Sequence, residues 1–269
     1  MAINPNAKIG SGVEFGEGVI IEEGVEIGDK VQIGNRVTLR NCRIGSGVRI
    51  EDNSIIGYAT RTGGFSHKLD GYTQREPAII GEGTLIRTGA LIYQSVTIGK
   101  NSWINHSAVL REHTRIGDHT CIGTMSDSEG YNTIGNHVLI HSQVHLCARM
   151  TVEDYVFIAP FCVFANGNPM GYARPHIEVP EEGPIIRFGV QMGVNASVMP
   201  RVVVGYEAII APSTVVHKDV APLSVMAGVP ARKLKTVAPE LRMPLNVRHQ
   251  YYQGSDDPPG VAEEGVLKK

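Results

Sequence analysis

The chain has 269 residues and a formal net charge of −2, which gives no reason to expect nucleic acid or an anionic membrane as a partner. Its four cysteines, Cys42, Cys121, Cys147 and Cys162, form no CxxC pair and no metal-ligand spacing, as fits a reduced setting. Met1 to Gly10 holds no basic segment followed by an apolar run, and no stretch approaches a membrane span, so a soluble, cytoplasmic protein is expected.

From the first residues a bulky apolar side chain returns every sixth position: Ile9, Phe15, Ile21, Ile27, Ile33 and Leu39. The series slips by one residue and resumes at Ile44, Ile50 and Ile56. A period of six is neither helical nor that of a hairpin. It suits a short strand, whose inward positions alternate by two, followed by a sharp corner where glycine tolerates unusual backbone angles. Repetition of the unit is the signature of a hexapeptide parallel β-helix, in which three strands make one triangular coil.

Residues 57–77 break the pattern and read as a loop leaving the coil. The register then runs from Ile80 to Phe164 with one lapse, at Ser128. There the coil is expected to bulge outward, which marks Ser126 to Asn132 as a place for substrate contacts. A second, proline-rich interruption, 166–184, is followed by Ile186, Met192, Val198, Val204, Ile210 and Val216. The β-helix domain thus spans 1–235, with about ten coils. The extension 236–269 is expected to hold a short helix near Pro239 to Met243 and then a polar tail.

With three hexads to a coil, side chains one coil apart stack at about 4.8 Å. Tyr93, Arg111, Glu129 and Cys147 then share a corner column, with Arg111 and Glu129 as a ready ion pair. His119 lies beneath His137, and Ser95, His113, Tyr131 and Arg149 form another column. His106 follows Asn105 at a different corner. A neutral imidazole there suits proton transfer near pH 7.

The hexads and the closing segment ending AGVPARKL resemble the left-handed β-helix acyltransferases that use coenzyme A or an acyl carrier protein, over roughly residues 7–235. The segment VEDYVFIAPFCVFANGNPMGYARP, together with YQSVTIG and VLREHTRIG, is similar to the branch that N-acylates amino sugars linked to dTDP or UDP. The resemblance implies a homotrimer with each site between two subunits, an acyl-CoA co-substrate, and no metal. Chemically it implies attack of a neutral amine on a thioester. His106 is the expected proton acceptor, although closer relatives would have aspartate where this chain has Asn105. Glu129 is the second polar group, orienting the amine or drawing off its proton. Ser95, Asn105, Asn166, Asn168 and Tyr172 are expected at the sugar. Gly193 and Ala211 would bond the pantetheine amides through their backbone, with Lys218, Arg232 and Lys233 near the phosphates.

Three other readings compete. An O-acetyltransferase of serine or a simple sugar shares the coenzyme A end. A zinc hydratase of the γ-carbonic anhydrase kind would use the cluster His137, His141, His145. However, with His141 as the middle ligand, that family's other two ligand positions fall on Asn105 and Leu146. A non-catalytic solenoid scaffold would bind no coenzyme A at all.

Overall fold

The computed structural model describes residues 1–61, 72–73, 76–169, 171, 173–174 and 176–252. They fall into two compact units, divided between His137 and Val138.

The first unit is a parallel β-solenoid with three faces. Seven strands line its first face, from Ala2–Ile3 to Asp127–Ser128, and seven its second, from Lys8–Ile9 to Thr133–Ile134. Six line the third, from Glu14–Phe15 to Cys121–Ile122. Each strand lies parallel on the equivalent residues of the next coil, as Ile86 on Ile104 and Ile104 on Ile122. From Ile21 onward the inward member of each strand is buried; Ile86, Ile104, Leu110 and Ile122 have no exposed surface. The one-residue slip appears as Ile27 opposite Ile44 and Ile33 opposite Ile50. Ala2–Ile3 pairs with Ile20–Ile21, a level before the first hexad that the apolar period identified.

Corner glycines such as Gly12, Gly83 and Gly89 take the positive φ expected, but those directly after the inward isoleucines serve a different purpose. Gly81, Gly99 and Gly117 directly follow the buried isoleucines, and none of them has positive φ. A Cβ at any of the three would overlap the backbone of the next coil. The left-handed conformation lies two residues further on and is taken mostly by residues other than glycine, including Asn101, Ser107, His113, His119 and Tyr131. Asp and Asn side chains cap the exposed amides between levels. Lys100 N–H donates to Asp118 Oδ1 at 2.7 Å and Asp118 N–H to Asn136 Oδ1 at 2.8 Å. Inside, Thr84, Ser102 and Thr120 each donate a hydroxyl hydrogen to a corner carbonyl of the next coil, at 2.8, 2.9 and 2.8 Å.

At the first interruption Ala78 pairs with Cys42 and Leu91 with Ile55, and the register of Ile55–Tyr58 against Leu91–Tyr93 shifts between Ile56 and Tyr58. Thr60–Arg61 and Tyr72–Thr73 run antiparallel at its base. Gly57, with φ +81°, starts the exit where a Cβ would collide with the Arg40 carbonyl oxygen.

Ser128 does not produce the expected bulge. Val109 pairs with Asp127, Leu110 with Ser128 and Arg115 with Thr133 without irregularity. The side chain stays inside because it has buried polar partners. Its Oγ lies 2.8 Å from Thr114 Oγ1 and accepts from Asn132 Nδ2 at 2.9 Å. Ser128→Ala therefore takes a hydrogen-bond partner from two buried side chains and is expected to cost about 1–3 kcal/mol, read from chemical denaturation. A change below the resolution of that measurement would mean that neighbours satisfy them instead.

The second unit is also a parallel β-solenoid. Leu139–Ile140 lies on Phe157–Ile158, which lies on Gln191–Met192 and then Ile209–Ile210. Across residues 166–184 the coil pairing is kept, with Val152 on Ile186 and Phe164 on Val198. At the base of this segment Glu182 N–H donates to Asn166 O at 2.8 Å. Ser224–Ala227 closes the stack and turns back antiparallel as Arg232–Thr236. The expected helix lies further along the chain. Pro239–Leu241 is one 3₁₀ turn, and the α-helix is Leu245–Tyr251. Pro244 explains the shift, since a proline biases the residue before it away from helix and itself suits a helix start. The polar tail falls on residues 253–269, outside the described residues.

Candidate functional site

One corner of the first unit gathers the groups able to do chemistry. It is the corner after the first face, with Tyr93, Gln94 and Ser95 on one level, then Arg111, Glu112 and His113, then Glu129, Gly130 and Tyr131. Gln94 and Glu112 are each 5% exposed and Gly130 is buried, whereas the matching residues of the other corners at these levels, such as Lys100 and His106, are not buried. Ser95 lies at the return of the first interruption: its N–H donates to Glu76 O at 2.7 Å and its hydroxyl to the same oxygen at 3.4 Å.

The ion pair expected between Arg111 and Glu129 gives way to another. Arg111 Nη2 donates to Glu112 Oε1 at 2.9 Å and Nε to Oε2 at 3.3 Å, a two-point grip. Glu112 is thus a site residue that the hexad reading passed over. Its signal was a carboxylate in the middle corner position of LREHTRIG, but spacing does not report burial. The outward column does form, with the His113 and Tyr131 rings at 4.6 Å between centroids. The His119 and His137 rings also stack, at 5.0 Å and 6°.

His106 sits at the corner after the third face, half-buried, and Asn105 precedes it. Asn105 Nδ2 donates to Ile122 O at 3.0 Å and to Cys121 Sγ at 3.2 Å, which fixes its amide. The structure does not bring His106 and Glu129 to one corner of the first unit.

In the second unit, one corner edge is apolar. Phe161 is 48% exposed, Val194 45% and Val229 71%, with Pro160 and Pro212 between them on successive levels. Hydrogen bonds tie these levels together, Asn195 N–H to Pro160 O at 3.0 Å and Ser213 N–H to Val194 O at 2.8 Å. The edge runs to the closing hairpin, where Ala231 N–H donates to Val215 O at 2.9 Å and exposed Arg232 and Lys233 follow. Lys218 is exposed just beyond Val216. The N–H groups of Gly193 and Ala211 are both used inside the coil, by Ile210 O and Met226 O at 2.8 Å each. A pantetheine amide meeting these residues finds both N–H groups in use, and Gly193 O already accepts from Ala196 N–H at 3.3 Å and from Cys162 Sγ. Asn166 is half-buried and Asn168 exposed, while Tyr172 lies outside the described residues.

The C-terminal helix adds a buried charge cluster that sequence gave no reason to expect. Glu207, 3% exposed, accepts from Met243 N–H at 2.7 Å, Arg248 Nε at 3.0 Å and the Tyr252 hydroxyl at 2.8 Å. Glu153 accepts in the same way from Arg187, from Phe188 N–H at 2.9 Å and from the Tyr251 hydroxyl at 3.1 Å. Burial raises the Tyr251 and Tyr252 hydroxyls above the ordinary tyrosine range, and the nearby glutamates raise them further. Both remain donors at neutral pH.

The cysteines are packing groups. Burial pushes the Cys42 thiol up to about 12, and Cys162, with no exposed surface, donates to Gly193 O at 3.2 Å. Among the described residues no group of three His, Cys, Asp or Glu is placed to hold a metal ion. His141 Nδ1 accepts from Ser142 N–H at 2.8 Å. No helix among the described residues is long and apolar enough to cross a membrane.

Residues 6–41 match the family model for the bacterial transferase hexapeptide, six repeats. These are hexapeptide repeats. A search of curated proteins finds no match. Several solved structures of similar kind are acyltransferases. A UDP-N-acetylglucosamine acyltransferase from Bacteroides fragilis is 18% identical over 94% of this chain and 76% of its own, with a TM-score of 0.49. A hexapeptide-repeat acetyltransferase from Vibrio cholerae is 27% identical over 45% of this chain and 72% of its own, with a TM-score of 0.42. An N-acyltransferase from Bacillus cereus, solved with dTDP and coenzyme A, is 17% identical over 64% of this chain and 89% of its own, with a TM-score of 0.39.

Proposed function

We propose that the protein is an acyl-CoA-dependent N-acyltransferase acting on the amine of an amino deoxysugar linked to dTDP or UDP, and that it works as a homotrimer with sites between subunits. The observation that carries the acyl-CoA half is the edge of the second unit, where an apolar ridge through Phe161, Val194 and Val229 ends at Arg232 and Lys233. A thioester of coenzyme A has that polarity, an acylated arm ending in phosphates. The hexapeptide-transferase match at residues 6–41 supports the same class.

The chemistry asks little beyond placement. The amine nitrogen attacks the thioester carbonyl, the C–N bond forms, the C–S bond breaks, and the thiolate leaves as coenzyme A. The ammonium proton passes to a base, for which His106 is proposed, and Glu129 orients the amine. Coil carbonyls near the edge hold the arm.

Acetyl-CoA binding by calorimetry tests the first half. Arg232→Ala with Lys233→Ala is expected to weaken it at least tenfold, and an unchanged affinity removes these cations from the site. A panel of dTDP- and UDP-linked amino sugars against their hydroxyl analogues tests the second half. Faster acylation of the hydroxyl analogues would favour the O-acetyltransferase reading.

A further inference from the structure

The bidentate pair Arg111–Glu112 forms a preorganised fork for which neither the hexad period nor the resemblance assigns a use. The Glu112 side chain is 7% exposed and that of Arg111 46% exposed, so the carboxylate lies beneath and the guanidinium above. Two of the five guanidinium N–H donors are spent on Glu112, through Nε and Nη2. Among the described residues the other three have no acceptor. A guanidinium held by two hydrogen bonds from below has lost most of its rotamer freedom before any ligand arrives, and its remaining edge matches a phosphate.

The surroundings add two further features. Flat rings stand along the same corner: Tyr93 is in edge contact with Tyr58 at 5.2 Å, and His113 packs on Tyr131 at 4.6 Å. Such rings accept a base by stacking. One coil on from Arg111, in the same column, stands Glu129. The column therefore presents a cation and then an anion, about 4.8 Å apart. Its match is a ligand that carries a base, an anionic phosphate and an amine.

We propose that Arg111, positioned by Glu112, is the diphosphate-binding group of the acceptor site, with the Tyr93 and His113–Tyr131 rings flanking the base. This rests on the reading of the acceptor as a nucleotide-linked amino sugar and names the residues that recognise its nucleotide.

The test uses the full-length chain and three probes measured separately by calorimetry: UDP, dTDP and coenzyme A. Wild-type protein is expected to bind one of the two nucleoside diphosphates. Arg111→Lys, which keeps the charge but loses the fork, and Glu112→Gln, which loosens the grip, are each expected to weaken that binding at least tenfold and to change coenzyme A binding by less than twofold. Circular dichroism checks that each variant is folded, and Arg111→Lys, on the more exposed partner, carries the test if Glu112→Gln is not. Nucleoside diphosphate affinity unchanged in Arg111→Lys, or no binding of either one by wild type, overturns the fork proposal while coenzyme A binding keeps the transferase reading. Loss of coenzyme A binding in wild type removes the transferase reading instead.

Discussion

Glu207→Ala is expected to lower the unfolding free energy by about 3–5 kcal/mol, read from chemical denaturation, the usual scale for breaking a buried ion pair from one side. The carboxylate serves three donors, Met243 N–H, Arg248 Nε and the Tyr252 hydroxyl, and its removal takes the Nε acceptor from an arginine whose side chain is 6% exposed. The same change loosens the helix Leu245–Tyr251, whose Tyr251 ring stacks on Phe188 at 3.8 Å. Phe188 has no exposed surface, and exposure of its ring would add an apolar patch to the second unit. Replacing Glu207 and Arg248 together with methionine is expected to recover part of the loss, since the charge pair is then removed whole while Met243 N–H and the Tyr252 hydroxyl still lose their acceptor. A single Glu207→Ala change below about 0.5 kcal/mol, the scale of an ordinary surface substitution, would show that the clasp contributes nothing.

Turnover of the true amine substrate is expected to fall by about 100-fold or more in His106→Ala, the scale of a positioned proton acceptor. Glu129→Gln is expected to fall in kcat/KM with a smaller change at saturation, because it acts on the amine's orientation. His106 and Glu129 stand on different corners of the first unit, one after its third face and one after its first. For them to serve one reaction, two subunits must meet, so mixing the two variants should restore activity at sites that combine one intact His106 with one intact Glu129. Near-normal turnover in both single variants would remove both residues from the chemistry and leave the corner of Arg111, Glu112 and His113 as the place to search.

The core was legible because it repeats. Ile86, Ile104 and Ile122 lie one above another, as their spacing required, and the slip near Ile44 appears in the pairing at the same place. The corners were legible in position and less so in content. Spacing put Arg111 and Glu129 in one corner column and passed over Glu112, the carboxylate that the guanidinium grips. That choice depends on the reach of the side chain and on which group is shielded from water. Ser128 shows the same limit: a polar residue at an inward position suggested a bulge, yet Thr114 and Asn132 supply partners across the coil. The resemblance to sugar N-acyltransferases contributed the candidate roles of His106, Glu129 and the late-coil cations, none of which follows from the period.

By itself the sequence determined the repeat, the buried face, the two interruptions and the stacking interval. A short-range period suffices for these, because every inward residue meets the same neighbours one coil away. Only the tertiary structure decided that Gly81, Gly99 and Gly117 stand where neighbouring backbones touch, that Glu112 is covered and grips Arg111, and that the chain returns from Pro244 to bury Arg248 against Glu207. Each of these depends on what lies over a residue, and contacts made outside the repeat leave no period in the chain.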